Sequence, residues 1–310
     1  MSSLRIWLMA ARPRTLPAAV APVLVGSAAA AYAADPCAGR DICLQIAPEP
    51  FDWARFAAAL VGSIFIQIGT NLANDYSDAR RGADTAERLG PVRVTSAGLV
   101  APRRVLVATW VAFGVAVLAG LYLATQVGPE ILAVGFVSIL AGVLYTGGPK
   151  PYGYAGLGEV FVFLFFGLVA VNGSYYVQRE ELDWMPFALS VPIGLLATAI
   201  LVVNNLRDIE TDRRAGKTTL AVRLGRPRTR LLYAWMVALS FVAVPVAIVV
   251  ADAPAWSLLA LGAAALASRP LRAVLTRTDG EALNGALAGT GLLLAAFSLL
   301  LSAGLLIAAV

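Results

Sequence analysis

Asn74-Asp75-Tyr76-Ser77-Asp78, continued by Asp84, and Asn204-Asn205-Leu206-Arg207-Asp208, continued by Asp212, put acids and amides where long apolar segments run out into charged loops. Carboxylates at such a boundary are costly to dehydrate and mark functional sites with a cation or polar ligand at hand. Asn204, Asp208 and Asp212 are spaced by four, as are Asn74 and Asp78, and Asn71 and Asp75 form a neighbouring row. Residues four apart share a helix face. Two such faces opposed across a bundle surround a void with carboxylate oxygens, a repulsive arrangement unless a cation lies between them. The chain has no His and only two Cys. Its ligands are therefore mainly oxygens, which suit Mg²⁺ or Ca²⁺ better than zinc, copper or haem. Mg²⁺ typically bridges one or two carboxylates to substrate phosphates. This reading gives a metal set of Asn74, Asp75, Asp78, Asp208 and Asp212, with Asn204 in support. The competing reading pairs the acids with Arg80, Arg81, Arg207, Arg213 and Arg214 on a solvated loop. It suffices for Glu87 or Glu210 alone, but not for two matched rows.

Cations beyond those needed for acid pairing point to a diphosphate. Arg93 follows the first cluster within Gly90-Pro91-Val92-Arg93-Val94-Thr95-Ser96-Ala97-Gly98, and Lys217 follows the second. Lys150 is the only basic residue in the short loop after the fourth apolar segment, beside Tyr145 and Tyr152. Such side chains clamp phosphates as point charges and forks. Gly216-Lys217-Thr218 matches the end of a P-loop, but the upstream glycine and strand are missing, and that reading is rejected.

The elements that must position these groups are legible in the composition. The 310 residues are 59% hydrophobic and only 14% charged, against about half and a quarter in soluble domains. Apolar runs long enough to cross a bilayer recur at 15–34, 54–73, 105–126, 129–147, 157–177, 185–204, 231–251, 254–269 and 284–309. The eighth is short. The expectation is an all-α integral membrane protein, a single domain over 1–310, with nine transmembrane helices bundled around a central cavity open to the cytoplasmic side. With a cytoplasmic N-terminus, every Lys and Arg except Arg40, Arg55 and Arg179 falls in the N-terminal tail or in the loops after spans two, four, six and eight. That asymmetry follows the positive-inside rule, puts both acid clusters in the cytoplasm and leaves the C-terminus outside. The net charge of +5 then reflects topology and anionic ligands and needs no nucleic acid. Basic residues, an apolar run and Ala31-Tyr32-Ala33 imitate a signal peptide, but Pro17, Pro22 and the length of the run favour a retained first span. Cys37 and Cys43 lie in the outer loop 35–53, and their spacing alone does not pair them.

Both Asp-rich clusters resemble the paired motifs of UbiA-type intramembrane prenyltransferases, and the similarity covers nearly the whole chain. Four further stretches are similar to one branch, the 1,4-dihydroxy-2-naphthoate polyprenyltransferases of menaquinone synthesis. They are Arg12-Pro13-Arg14-Thr15-Leu16-Pro17, the Arg93 stretch, Tyr145-Thr146-Gly147-Gly148-Pro149 with Pro151-Tyr152-Gly153-Tyr154, and the run from Ala215 to Gly225. This chain has Gly82 where the first motif often carries an acid, and Asp84 two residues on. The resemblance implies Mg²⁺-dependent loss of diphosphate from a polyprenyl diphosphate in the cell (inner) membrane. The ring of 1,4-dihydroxy-2-naphthoate then attacks and loses CO₂, giving a demethylmenaquinone. It also implies Asp78 and Asp208 in catalysis, Tyr145 near the reacting carbon, Arg93, Lys150 and Lys217 on the diphosphate, and Arg14 or Arg12 on the acceptor carboxylate. Phe65, Tyr145 and Phe161 to Phe166 are candidates for walls that shield the allylic cation. Other acceptors (4-hydroxybenzoate, homogentisate, haem) stay open. A CDP-alcohol phosphotransferase would gather its acids into one element, and the second cluster has no place in it. A cation transporter, the reading from a different class, would favour acids near mid-span, not at span ends beside Lys and Arg.

Overall fold

The computed structural model describes residues 2–34, 51–82, 89–90 and 92–309. Cys37, Cys43, Asp84 and Glu87 lie outside the described residues. Among the described residues the regular structure is entirely helical. They form twelve α-helices: α1 Ser3–Ala11, α2 Pro17–Ala34, α3 Trp53–Arg80, α4 Pro102–Val127, α5 Glu130–Leu144 and α6 Gly158–Val162, then α7 Ala170–Arg179, α8 Trp184–Arg207, α9 Ile209–Arg214, α10 Leu220–Ala251, α11 Ala264–Thr276 and α12 Gly280–Ala308. A π-helical stretch, Phe163–Val169, joins α6 to α7, so Gly158–Arg179 crosses as one rod. A 3₁₀ stretch, Ala255–Ala263, likewise leads into α11.

Local sequence sets the ends of these rods. Asp52, Asp183, Thr219 and Asp279 cap the helices that follow them, each side chain accepting from a backbone N–H of the first turn. Such caps satisfy donors the helix cannot. The Ala282 N–H and the Arg277 guanidinium hold the Asp279 carboxyl below its usual range. Gly225 breaks α10 near its start with φ 72°, and Pro227 starts the long part of the rod two residues later, where proline lacks only a hydrogen bond the helix could not make.

Among the described residues, eight helical stretches of 18 residues or more are apolar enough to cross a membrane, and the protein is a multi-pass membrane protein. The short member is the fourth expected span and not the eighth. Ala255–Thr276 has 22 residues, whereas α5 has 15, about 22 Å of rise against a hydrocarbon core of about 30 Å. Leu231, Trp235, Leu239, Val242, Val246 and Val249 form an exposed apolar row along α10, a surface that suits lipid and not water.

The core is built on α8. Seventeen of its residues are buried, and its cluster continues into α2, α10 and α12. Gly167 in the π-helical stretch and Gly194 in α8 let two backbones meet: a Cβ on Gly167 would lie 2.7 Å from the Gly194 Cα. This approach fixes the rod Gly158–Arg179 against the middle of α8.

Candidate active site

The two acid rows do converge. Asn74 and Asp78 from the end of α3, and Asn204, Asp208 and Asp212 from α8 and α9, line one cavity of about 360 Å³. The sixth span does not continue unbroken, because Asp208 leaves helical geometry at φ −94°, ψ 7°. The register nevertheless survives: Asp208 N–H still reaches Asn204 O, and Asp212 N–H reaches Asp208 O at 2.8 Å. The second row therefore keeps a common face.

Asp78 is held from three sides. Tyr154 donates its hydroxyl to Oδ1 at 2.7 Å, Arg93 donates to Oδ2 at 3.2 Å, and Lys217 Nζ lies 3.5 Å from Oδ1. Lys217 also sits 4.6 Å above the Tyr154 ring. The local backbone explains this meeting. Thr218 donates twice to Tyr154 O, and Gly156 allows that approach: with φ +73°, a Cβ there would lie 3.0 Å from Thr218 O. Arg93 is aimed by Asp75, whose two oxygens accept from Val94 N–H and Thr95 N–H at 3.1 and 3.0 Å. Asp75 thus departs from the expectation of a metal ligand. It is not among the residues that line the cavity, and it anchors the 92–100 turn that carries Arg93.

Asp208 is gripped by its neighbour. Arg207 is 1% exposed and directs Nε and Nη2 at the two Asp208 oxygens, at 2.8 and 2.5 Å. The same guanidinium reaches Asn204 Oδ1 at 2.8 Å and Asn284 Oδ1 at 2.7 Å. Asn74 Oδ1 accepts from Thr146 at 2.8 Å. Among the described residues no three acidic side chains form a ready-made metal cage. The donors that face the cavity are nonetheless carboxylate and amide oxygens on two opposed elements, and that set fits a hard cation such as Mg²⁺.

Two expected substrate contacts lie elsewhere. Lys150 is exposed and off the cavity, because the chain folds back after α5 (Tyr152 N–H to Leu144 O, Gly153 N–H to Tyr145 O) and brings in Tyr154 instead. Arg14 is exposed as well, while Arg12 lines the cavity. Arg12 takes a left-handed conformation, φ 54°, after α1. Asn71 fixes that turn by donating to Ala11 O and to Thr15, and Gln67 also donates to Thr15.

Tyr145 lines the cavity as expected, and an aromatic ladder runs from it. Its ring meets Tyr152 edge-on, Tyr152 stacks on Phe161 at 4.0 Å, and Phe165 follows. Phe161, Phe165 and Phe166 line the cavity, whereas Phe65 does not. Tyr154 and Glu159 were not among the site residues expected from the sequence. Glu159 is buried in α6 and accepts from Asn205 at 2.9 Å, and its other oxygen has no hydrogen-bond partner among the described residues.

The family profile described as "UbiA prenyltransferase family" matches residues 37–300. The chain belongs to the UbiA prenyltransferase family. It is similar to the 1,4-dihydroxy-2-naphthoate octaprenyltransferase of Mycobacterium tuberculosis, 44% identical over 305 residues and covering 98% of each chain. The Escherichia coli protein of that name is 36% identical over 290 residues, covering 92% of this chain and 89% of that one. In fold, this UbiA-family chain is similar to a UbiA homolog from Archaeoglobus fulgidus solved with GPP and Mg²⁺, with a TM-score of 0.62 at 13% identity, covering 96% and 99% of the two chains. A digeranylgeranylglyceryl phosphate synthase aligns with a TM-score of 0.63 at 14% identity, covering 99% and 100%.

Proposed function

We propose that this cavity transfers a polyprenyl group from its diphosphate to 1,4-dihydroxy-2-naphthoate, releasing diphosphate and CO₂. The observation that carries the reading is the convergence of two acid rows, Arg93 and Lys217 on one chamber that continues into an apolar, aromatic-walled recess. The activity named for the relatives at 36 and 44% identity is this one. In the reaction the allylic C–O bond breaks and its electron pair leaves with the diphosphate. The ring carbon bearing the carboxylate bonds to the prenyl carbon, and the electrons of the broken C–COO⁻ bond restore the aromatic ring. The product is the quinol form of demethylmenaquinone.

Arg93 and Lys217 bind the diphosphate, each held ready against Asp78 before substrate arrives, and electrostatic preorganisation of this kind stabilises the leaving charge. Arg12 receives the acceptor carboxylate. Tyr145, Tyr152 and Phe161 exclude water from the allylic cation and present ring faces to it. Asn74, Asp78, Asn204, Asp208 and Asp212 are the residues that would hold Mg²⁺, with Asp75 acting through the Arg93 turn. Bound there, the metal supplies Lewis-acid stabilisation of the departing diphosphate. α5 serves as a ninth, short span around which the bilayer thins. The charge asymmetry of the loops supports an acid end facing the cytoplasm of a cell whose inner membrane holds the protein.

A cation transporter fits less well, since the acids gather at the ends of α3 and α8 and the cavity beyond them is lined mainly by apolar and small side chains. Proteoliposomes separate the readings. Prenyl transfer from radiolabelled polyprenyl diphosphate without cation flux is expected, and flux without transfer would reverse the assignment.

A further inference from the structure

A glycine inside a helix costs about 1 kcal/mol relative to alanine, so an interior glycine calls for a reason. Contact supplies it for several: a Cβ on Gly26 would lie 2.2 Å from Val171 O, and one on Gly304 would lie 2.1 Å from Trp256 O. Gly120 of α4, Gly135 of α5 and Gly173 of α7 have no such reason. A Cβ at each would meet nothing within 4 Å, and none has a positive φ. All three line the cavity, and so does Gly62 of α3.

These glycines share a depth. Gly62 lies sixteen residues from Asp78 along α3, about 24 Å at 1.5 Å per residue. Gly120 lies in the half of α4 remote from the acids, Gly173 in the same half of the rod Gly158–Arg179, and Gly135 is ten residues before Tyr145. Three or four residues further along these helices, Leu123, Ile131 and Val177 also line the cavity and pack into one buried cluster. Four helices thus present bare backbone at one level of the chamber, far from any polar group that the reaction uses.

We propose that Gly120, Gly135 and Gly173 set the length of prenyl chain the enzyme accepts. Without side chains at this depth, the recess stays open to the distal isoprene units of a long tail, and a side chain there imposes a shorter limit. The inference rests on the polyprenyl-transfer reading.

The test compares kcat/KM for octaprenyl and geranyl diphosphates with Mg²⁺ and 1,4-dihydroxy-2-naphthoate. In Gly120→Leu and in Gly135→Leu the octaprenyl-to-geranyl ratio is expected to fall about tenfold, in line with the discrimination that added methylenes impose in an apolar pocket. Gly114→Leu is the control. It lies on the same helix with nothing within 4 Å of its Cβ, but it is exposed and off the cavity, so both rates stay at wild-type values. A ratio within about twofold of wild type in a Leu variant that keeps its thermal transition would overturn the proposal. Should the Leu variants fail to fold, the double variant Gly120→Ala with Gly135→Ala replaces them. Its ratio is expected to fall about threefold, and an unchanged ratio again overturns the proposal. Wild-type protein that transfers neither prenyl group would sink the transfer reading and the length limit together. Normal wild-type transfer with an insensitive ratio would sink the length limit alone.

Discussion

Asp78→Ala and Asp208→Ala are each expected to lower prenyl transfer by about 10³-fold or more, the scale set by losing a charge-stabilising group at a leaving diphosphate. Membrane insertion should persist in both. Asp78 is the point where Arg93, Lys217 and Tyr154 meet, so its loss removes a metal oxygen and also releases both diphosphate cations. Asp208→Asn keeps an acceptor for Arg207 and separates loss of charge from loss of fold. Asp75 serves as the contrast. Its carboxylate grips the backbone of the Arg93 turn, so Asp75→Asn should cost only about tenfold, the loss of roughly one charge-assisted hydrogen bond, with its Mg²⁺ requirement unchanged. Near-normal turnover in Asp78→Ala or Asp208→Ala would remove these two acids from the mechanism.

The second large effect is on stability. Arg207→Met should destabilise the protein by about 3–5 kcal/mol, because it strands a buried carboxylate. The guanidinium ties Asp208, Asn204 and Asn284 together at 2.5–2.8 Å, and Asn284 in turn donates to Leu89 O. Helices α8 and α12 and the turn at Leu89 therefore lose a common tie. Pairing Arg207→Met with Asp208→Asn removes the stranded charge and should recover part of the loss. Thermal unfolding in detergent measures both. A single variant as stable as wild type would mean that the Asp208 carboxylate finds water when Arg207 is gone.

The apolar runs made the membrane rods legible, because crossing a bilayer demands length and apolarity before it demands any particular neighbour. Rod length was less legible. Residues 129–147 look like a full span by hydropathy, but α5 ends at Leu144, where Tyr145-Thr146-Gly147-Gly148 begins the fold-back. The acid rows were visible because spacing by four survives even the break at Asp208. Spacing could not say which way Asp75 turns, since its partners are backbone N–H groups twenty residues on. It also could not choose Arg12 over Arg14, which depends on a left-handed residue at the end of α1, or Tyr154 over Lys150, which depends on Gly156 and Thr218 meeting. Glu159 was hidden at the start of an apolar run, where one acid reads as a helix-start charge. Its burial against Asn205 shows only when α6 lies beside α8.

The central claim is prenyl transfer with decarboxylation, and product mass tests it most directly. Purified protein, Mg²⁺ and a polyprenyl diphosphate are incubated with a panel of aromatic acids that includes 1,4-dihydroxy-2-naphthoate and 4-hydroxybenzoate. The account predicts one prenylated product, from the naphthoate, whose mass reflects loss of CO₂. A prenylated naphthoate that keeps its carboxylate, or a product from 4-hydroxybenzoate alone, would contradict it.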